Sequence, residues 1–176
     1  AEADDGLQAF LRQALVAARE KHGVPAIAAL VMRDGRVVAE AAAGVRAMRH
    51  PERVTIHDRW HLGSDTKAFT STMIARLVEQ GIMGFDDTMA ASFPQFAAGM
   101  HPAYRNVTVR QLLSHTAGLP PLTDPRDLPT FFEAIRGKED IRAQRAAVAR
   151  KYLSMPPASK AGEFSYSNLG ARQRVV

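Results

Sequence analysis

Leu7, Phe10, Leu11, Ala14, Leu15 and Ala18 recur at the period of an amphipathic helix, with Asp4 and Asp5 favourable at its start and Gly23 then Pro25 at its end. At Ala26 the pattern changes. From there to Gly44 two apolar, Val- and Ala-rich runs flank Asp34-Gly35, a pair that tolerates the positive φ of a tight antiparallel turn, so two strands of a hairpin are predicted. The run Ala26 to Val31 is continuously apolar rather than alternating, which predicts a strand covered on both faces, one of them by the first helix.

Residues 46–59 are polar and irregular, and Trp60 to Gly63 then lead into a helix opening at Ser64. Phe69, Met73, Ile74, Leu77 and Val78 give this helix a wide apolar surface, predicting a central place in the core, and Gly81 suits its C-terminal cap. The turn formers Gly84, Asp86, Asp87, Pro94, Gly99 and Pro102 predict a loop without a separate domain or internal repeat. Thr108-Val109-Arg110-Gln111 has the form of a capping box, and its helix runs through Leu112 and Leu113 before Gly118 and Pro120. A shorter helix is expected over Thr130 to Arg136, and another over Asp140 to Leu153, stopped by Pro156-Pro157. One helix, two strands and a run of helices make a small sheet. A two-stranded sheet is marginal alone, and a strand this apolar calls for neighbours on its edges.

With 176 residues, 46% hydrophobic and 23% charged, the chain is long enough for one domain with a real core. No apolar run is long and uninterrupted enough to span a bilayer. There are no cysteines, hence no disulfide framework or thiolate metal site, and the histidines His22, His50, His57, His61 and His101 lack paired spacing with carboxylates. No metal and no cofactor is predicted. The net charge of +5 and a pI near 10.0 raise nucleic-acid binding, but much of the excess lies between Arg136 and Lys151 and in the tail. There Ile141, Arg145, Val148 and Tyr152 follow helical spacing among basic residues, the pattern of a solvated helix face, and no nucleic-acid motif accompanies it. Ala1-Glu2-Ala3 has the small residues left at a signal-cleavage site, although no apolar signal core precedes it; a periplasmic or secreted location is the expectation.

The candidate chemistry lies in Gly63-Ser64-Asp65-Thr66-Lys67. Residues three apart on a helix are surface neighbours, so the Lys67 amine can reach the Ser64 hydroxyl and take its proton. Ser64 in the first turn also lies where free amides and the helix dipole favour developing negative charge. Lys67 shares a stripe with Ile74 and Val78, so its amine is expected to be partly desolvated and usable as a base. An ordinary Ser cap with an exposed Lys has the same four-residue pattern, and the pattern alone does not separate the two.

Further segments do. Trp60 to Thr70, Leu77-Val78-Glu79-Gln80-Gly81 with Asp86-Asp87, the block Val107 to Pro120, and Phe164-Ser165-Tyr166-Ser167-Asn168 follow in this order. Together they resemble the serine β-lactamase and penicillin-binding protein superfamily, in particular the branch of class C β-lactamases, D-alanyl-D-alanine peptidases and related esterases. The resemblance implies an α+β, β-lactamase/transpeptidase-like fold: an antiparallel sheet covered by helices plus a helical subdomain, with the C-terminal strands missing. It implies Ser64 as acylated nucleophile, Lys67 as its base partner, Tyr166 as the phenol that shuttles a proton to and from the leaving group, and Asn168 as a donor positioning substrate and Lys67. The partner is then a small-molecule substrate: a β-lactam, a D-amino acyl peptide or a small ester. A phenol titrates near pH ~10, so it works at neutral pH only beside a cationic amine. His115, in a helix-end segment before Gly118, is better explained by a structural hydrogen bond than as a triad member. Asp86-Asp87 diverge in direction and suit a turn or cap rather than paired acids.

The family's third motif, Lys-Thr-Gly or His-x-Gly on a strand beside the nucleophile, is not found: His61-Leu62-Gly63, Lys160-Ala161-Gly162 and Lys21-His22-Gly23 stand in the wrong places. After Asn168 only Leu169 to Val176 remain, too few and too basic for that strand. The expectation is therefore a single, incomplete domain over 1–176, with the helix and hairpin of the sheet region in 1–45 and a mainly helical region in 60–168. Losing one oxyanion donor costs roughly 3 kcal/mol in the transition state, so weak or no turnover is expected of the isolated chain, and a non-catalytic remnant or binding module of the same fold is the alternative. Exposed strand edges would favour self-association or a complementing C-terminal fragment.

Overall fold

The computed structural model describes residues 5–170. The chain divides into two compact units, 1–61 and 62–176. In the first, helix α1 (Asp5–His22) precedes strands β1 (Ala26–Arg33) and β2 (Arg36–Gly44), paired antiparallel from Ala26↔Gly44 to Arg33↔Arg36. Asp34 and Gly35 make the turn at φ 51° and 74°, the doubly left-handed turn whose twist matches the strands it joins. An irregularity between Val31 and Met32 displaces the register near the hairpin end.

Helix α1 packs mainly on β2, where Ala39 and Ala41 are buried and their small side chains let the helix approach; Leu15 is its buried residue. A side-chain contact fixes the approach. The Gln8 amide donates to the Glu40 carbonyl at 2.6 Å and accepts from the Glu40 N–H at 3.1 Å. Because both peptide groups of Glu40 turn to Gln8, that point of β2 faces away from β1. The expectation that β1 is covered on both faces is not met: Leu30 and Met32 are more than half exposed (57% and 58%). Burial alternates along the strand, since α1 covers one side and nothing within this unit covers the other. Continuous apolar sequence therefore encodes two sticky faces, of which one is used here.

The second unit is helical. Helix α2 (Thr66–Glu79) is followed by the single-turn helices α3 (Met89–Ser92) and α4 (Pro102–Arg105), then α5 (Val109–Leu113), α6 (Leu128–Ile135) and α7 (Ile141–Leu153). The capping box at α5 is formed: Thr108 Oγ1 accepts the Gln111 N–H and the Gln111 side chain accepts the Thr108 N–H at 2.9 Å. Asp140 caps α7 through the Ala143 N–H at 2.9 Å, and Gly81 leaves α2 at φ 70°.

The core is not centred on α2. Of that helix only Ile74 is buried, and Phe69 is 65% exposed, because the neighbours within the unit cover one line of its wide apolar surface. The core instead gathers Met89, Phe93, Phe96, Met100 and Tyr104 from the turn-rich stretch with Leu112, Leu119, Val148, Tyr152, Leu153 and Leu169. Phe93 and Phe96 stack with ring centroids 5.9 Å apart. Burial pushes the Tyr104 phenol up to about 12, and its hydroxyl donates to the Gly118 carbonyl at 3.2 Å. Gly118 lies at φ 74°, and a Cβ there would stand 2.5 Å from the Ser159 carbonyl oxygen, backbone that cannot step aside. Gly99 has an open surround and no such backbone constraint. Urea unfolding should therefore show Gly118→Ala losing about 2–4 kcal/mol, with Gly99→Ala within about 0.5 kcal/mol of the parent.

Candidate active site

Ser64 sits in a single 3₁₀ turn, Gly63–Asp65, which runs directly into α2, and Lys67 is the second residue of that helix. Gly63 enters the turn at φ 54°. The i, i+3 spacing brings the Lys67 Nζ to 3.0 Å from the Ser64 Oγ, to which it donates. On the other side of Ser64 Oγ, the Tyr166 hydroxyl lies at 2.7 Å. Lys67 also donates to Asn168 Oδ1 at 2.9 Å. All four residues singled out in the sequence thus meet, although more than a hundred positions separate the two pairs.

Tyr166 and Asn168 belong to a segment without helix or strand, and its shape is imposed by the chain after α5. The Ser165 N–H donates to the His115 carbonyl at 2.8 Å and the Ser167 N–H to His115 Nδ1 at 3.2 Å. Ser167 is buried, and its hydroxyl donates to the Pro120 carbonyl at 2.7 Å. The Asn168 N–H donates to the Pro121 carbonyl and its Nδ2 to the Leu122 carbonyl, each at 2.9 Å. With Nδ2 committed to a carbonyl, Oδ1 is the end turned to Lys67, so the amide orientation follows from its partners.

The Lys67 amine is half-buried and has neutral partners: a hydroxyl, an amide oxygen and the Tyr166 ring, whose centroid is 4.9 Å away. It forms no ion pair among the described residues. A cation without an anion attracts whichever neighbour can shed a proton. Hydrogen bonding toward Lys67 first, and toward Ser64 second, accordingly holds the Tyr166 phenol below its ordinary value of 10.0. A small cleft of about 190 Å³ opens beside this group, lined by Lys67, Ala68, Ser71, Leu112, Leu113 and His115. Chemically, the arrangement sets a hydroxyl oxygen between an amine and a phenol, two groups able to exchange a proton with it.

His115 lies beyond the end of α5, at φ 59°, and its ring tilts against that of Tyr166 with centroids 4.6 Å apart. Its backbone N–H bonds back to the Leu112 carbonyl of α5 at 3.4 Å, while its imidazole accepts from the Ser167 N–H, 52 residues away. Burial, then the Lys67 charge, holds its imidazole below the usual 6.5. Asp86 pairs with Arg110 through two contacts of 3.0 Å, while Asp87 accepts the Gly84 N–H at 2.6 Å, so these acids serve separate local contacts. Among the described residues no three His, Cys, Asp or Glu side chains converge on a metal position, and no described helix is long and apolar enough to cross a membrane. Nothing near His115 in the sequence marks its contact with Ser167, which only the fold brings within reach.

The cation–phenol relation can be read directly. Of the three tyrosines, burial raises Tyr104 and, with Asp127, Tyr152, so Tyr166 ionises first. In a spectrophotometric tyrosinate titration, Lys67→Met should move the first ionisation up toward the ordinary tyrosine value and leave the others in place; an unmoved first step would count against the relation.

A family model described as Beta-lactamase matches residues 11–172. Protein flp of Staphylococcus aureus (strain MW2) is 24% identical over 151 residues, covering 85% of this chain and 28% of its own length. Penicillin-binding protein 4 of Amycolatopsis lactamdurans is 36% identical over 103 residues, 58% of this chain and 27% of that protein. A solved class C beta-lactamase mutant superposes with a TM-score of 0.73 at 20% identity, covering 97% of this chain and 42% of its own, and shows the shared fold. The chain spans less than a third of the curated relatives it matches.

Proposed function

The chain belongs to the beta-lactamase family, and from that premise we propose that it is a serine hydrolase acting through an acyl-enzyme on Ser64, with a β-lactam, a D-amino acyl peptide or a small ester as substrate. Family and fold indicate the serine hydrolase superfamily; the step and the residue roles are our reading. The observation that carries it is the Ser64 Oγ within hydrogen-bond distance of both an amine and a phenol.

In this reading the Ser64 oxygen attacks the substrate carbonyl carbon. The new carbon–oxygen bond forms as the carbonyl pair moves onto oxygen, and the hydroxyl proton passes to the Lys67–Tyr166 pair. Collapse restores the carbonyl, breaks the bond to the leaving nitrogen or oxygen, and returns that proton to the leaving group through Tyr166. Water then repeats the sequence on the acyl-enzyme, releasing the acid and the free hydroxyl. Lys67 and Tyr166 share that proton beside the developing anion, and Asn168 holds the amine in place. We extend the family reading to a periplasmic or secreted place of action.

Incubation with a fluorescent penicillin, and separately with a fluorophosphonate, followed by peptide mass spectrometry, tests the assignment without requiring turnover. A single adduct on Ser64, lost in Ser64→Ala and slowed at least about 10²-fold in Lys67→Ala, is the expected result. A labelled protein whose adduct maps to another residue overturns it. An unlabelled but folded chain favours the non-catalytic alternative.

A further inference from the structure

Ser64, Lys67, Tyr166 and Asn168 leave one side chain of the site unused. His115 touches no reacting atom in the scheme above, yet it is bonded to the Tyr166 segment on both sides of the phenol. Its carbonyl accepts the Ser165 N–H at 2.8 Å, its Nδ1 accepts the Ser167 N–H at 3.2 Å, and its ring lies on Tyr166 at 4.6 Å and edge-on to Phe164 at 6.1 Å. The two residues flanking Tyr166 are therefore bonded to one residue, and the ring between them rests on that residue's side chain. The left-handed backbone at His115, φ 59°, puts carbonyl and imidazole on the same segment. A non-glycine residue pays conformational strain there, and the contacts to 165–167 hold it.

We propose that His115 is a positioning residue for Tyr166: as a neutral imidazole it seats the phenol against Ser64 Oγ, and its protonation unseats it. The direction follows from hydrogen-bond chemistry. An amide N–H can only donate, so Nδ1 must carry a lone pair, and the remaining ring proton resides on Nε2. A proton added to Nδ1 would set two donors against each other 3.2 Å apart. It would also place a second cation beside Lys67. The titratable groups facing His115 are Lys67 from α2 and Tyr166 from the opposing segment, and neither is a carboxylate that would pair with imidazolium. Burial and the Lys67 charge act the same way, keeping the folded-state value below 6.5. With a folded value below the unfolded one, the interaction is fully present above about pH 6.5 and is lost as pH falls through the folded value.

The inference rests on the hydrolase reading only for its kinetic consequence; the seating of Tyr166 is measured separately. In protein carrying ¹³C-labelled tyrosine rings, the Tyr166 signals should show a step below pH 6.5 that coincides with His115 protonation, besides their own ionisation at high pH. His115→Phe keeps a ring and removes the acceptor. His115→Asn tolerates the left-handed backbone and restores an acceptor oxygen. In both, the acid step should vanish. In His115→Phe the phenol ionisation should move up toward the ordinary tyrosine value, and the rate of Ser64 phosphonylation at neutral pH should fall about 10²-fold, with partial recovery of both in His115→Asn. Circular dichroism identifies an unfolded variant; should His115→Phe not fold, the asparagine variant and the parent's acid step decide. Tyr166 signals that stay flat while His115 titrates, or a folded variant with parental Tyr166 titration, overturn the proposal. Failure of the parent to react with the phosphonate would instead remove the hydrolase reading and leave the NMR result standing.

Discussion

Two stretches with neither helix nor strand, 115–122 and 158–169, hold each other in shape, and the site depends on that pairing. Thr116, Gly118, Pro120, Pro121 and Leu122 present carbonyls, and Gly162, Ala158, Ser167 and Asn168 supply the donors. Two of the acceptors belong to prolines, which have no N–H of their own to compete, so the strip is rich in acceptors and specifies donors opposite. The contact is close enough that Gly118 has no room for a side chain. A phenol and an amide reach α2 because these hydrogen bonds hold the second stretch against the first. Regular structure would have closed the same hydrogen bonds internally and left nothing to fix the second stretch.

Lys67 links α2 to that assembly's amide, and its neutral surroundings give it leverage. An amine neutralised by a carboxylate exerts little pull on a neighbouring hydroxyl. An amine held by a hydroxyl, an amide oxygen and an aromatic face keeps its full field, which is why its effect reaches both the Tyr166 phenol and the His115 imidazole. The two respond in the same sense: the phenol is pushed toward losing its proton and the imidazole away from gaining one.

Local periodicity made much of the helical framework legible. α1, the Asp34-Gly35 turn, the α5 capping box and α7 all rest on contacts within a few residues of sequence, and Ser64 and Lys67 are readable for the same reason. The core was not. Positions 89, 93, 96, 100 and 104 keep helical intervals, but Pro94, Gly99 and Pro102 break the chain into single turns, so the punctuation suggested a loop while the apolar face survived the breaks. The wide apolar surface of α2 pointed to the core, yet amphipathic width reports what a helix can bury and not which neighbours arrive. Tyr166 and Asn168 were legible through resemblance, since no local rule ties them to Ser64. His115 was legible as a structural hydrogen-bonding residue, but not its partner, which lies 52 residues on.

The bond between Gln8 and Glu40 has a meaning beyond docking a helix. The oxygen and the syn N–H of a carboxamide lie on one side, as the C=O and N–H of a single strand residue do, so Gln8 meets the outer edge of β2 as one residue of a neighbouring strand would. A chain attempting to zip onto that edge meets a tethered competitor already in register, supplied at effectively high local concentration by α1. At Glu40 the outer border of β2 is thereby occupied by a side chain of the protein's own first helix.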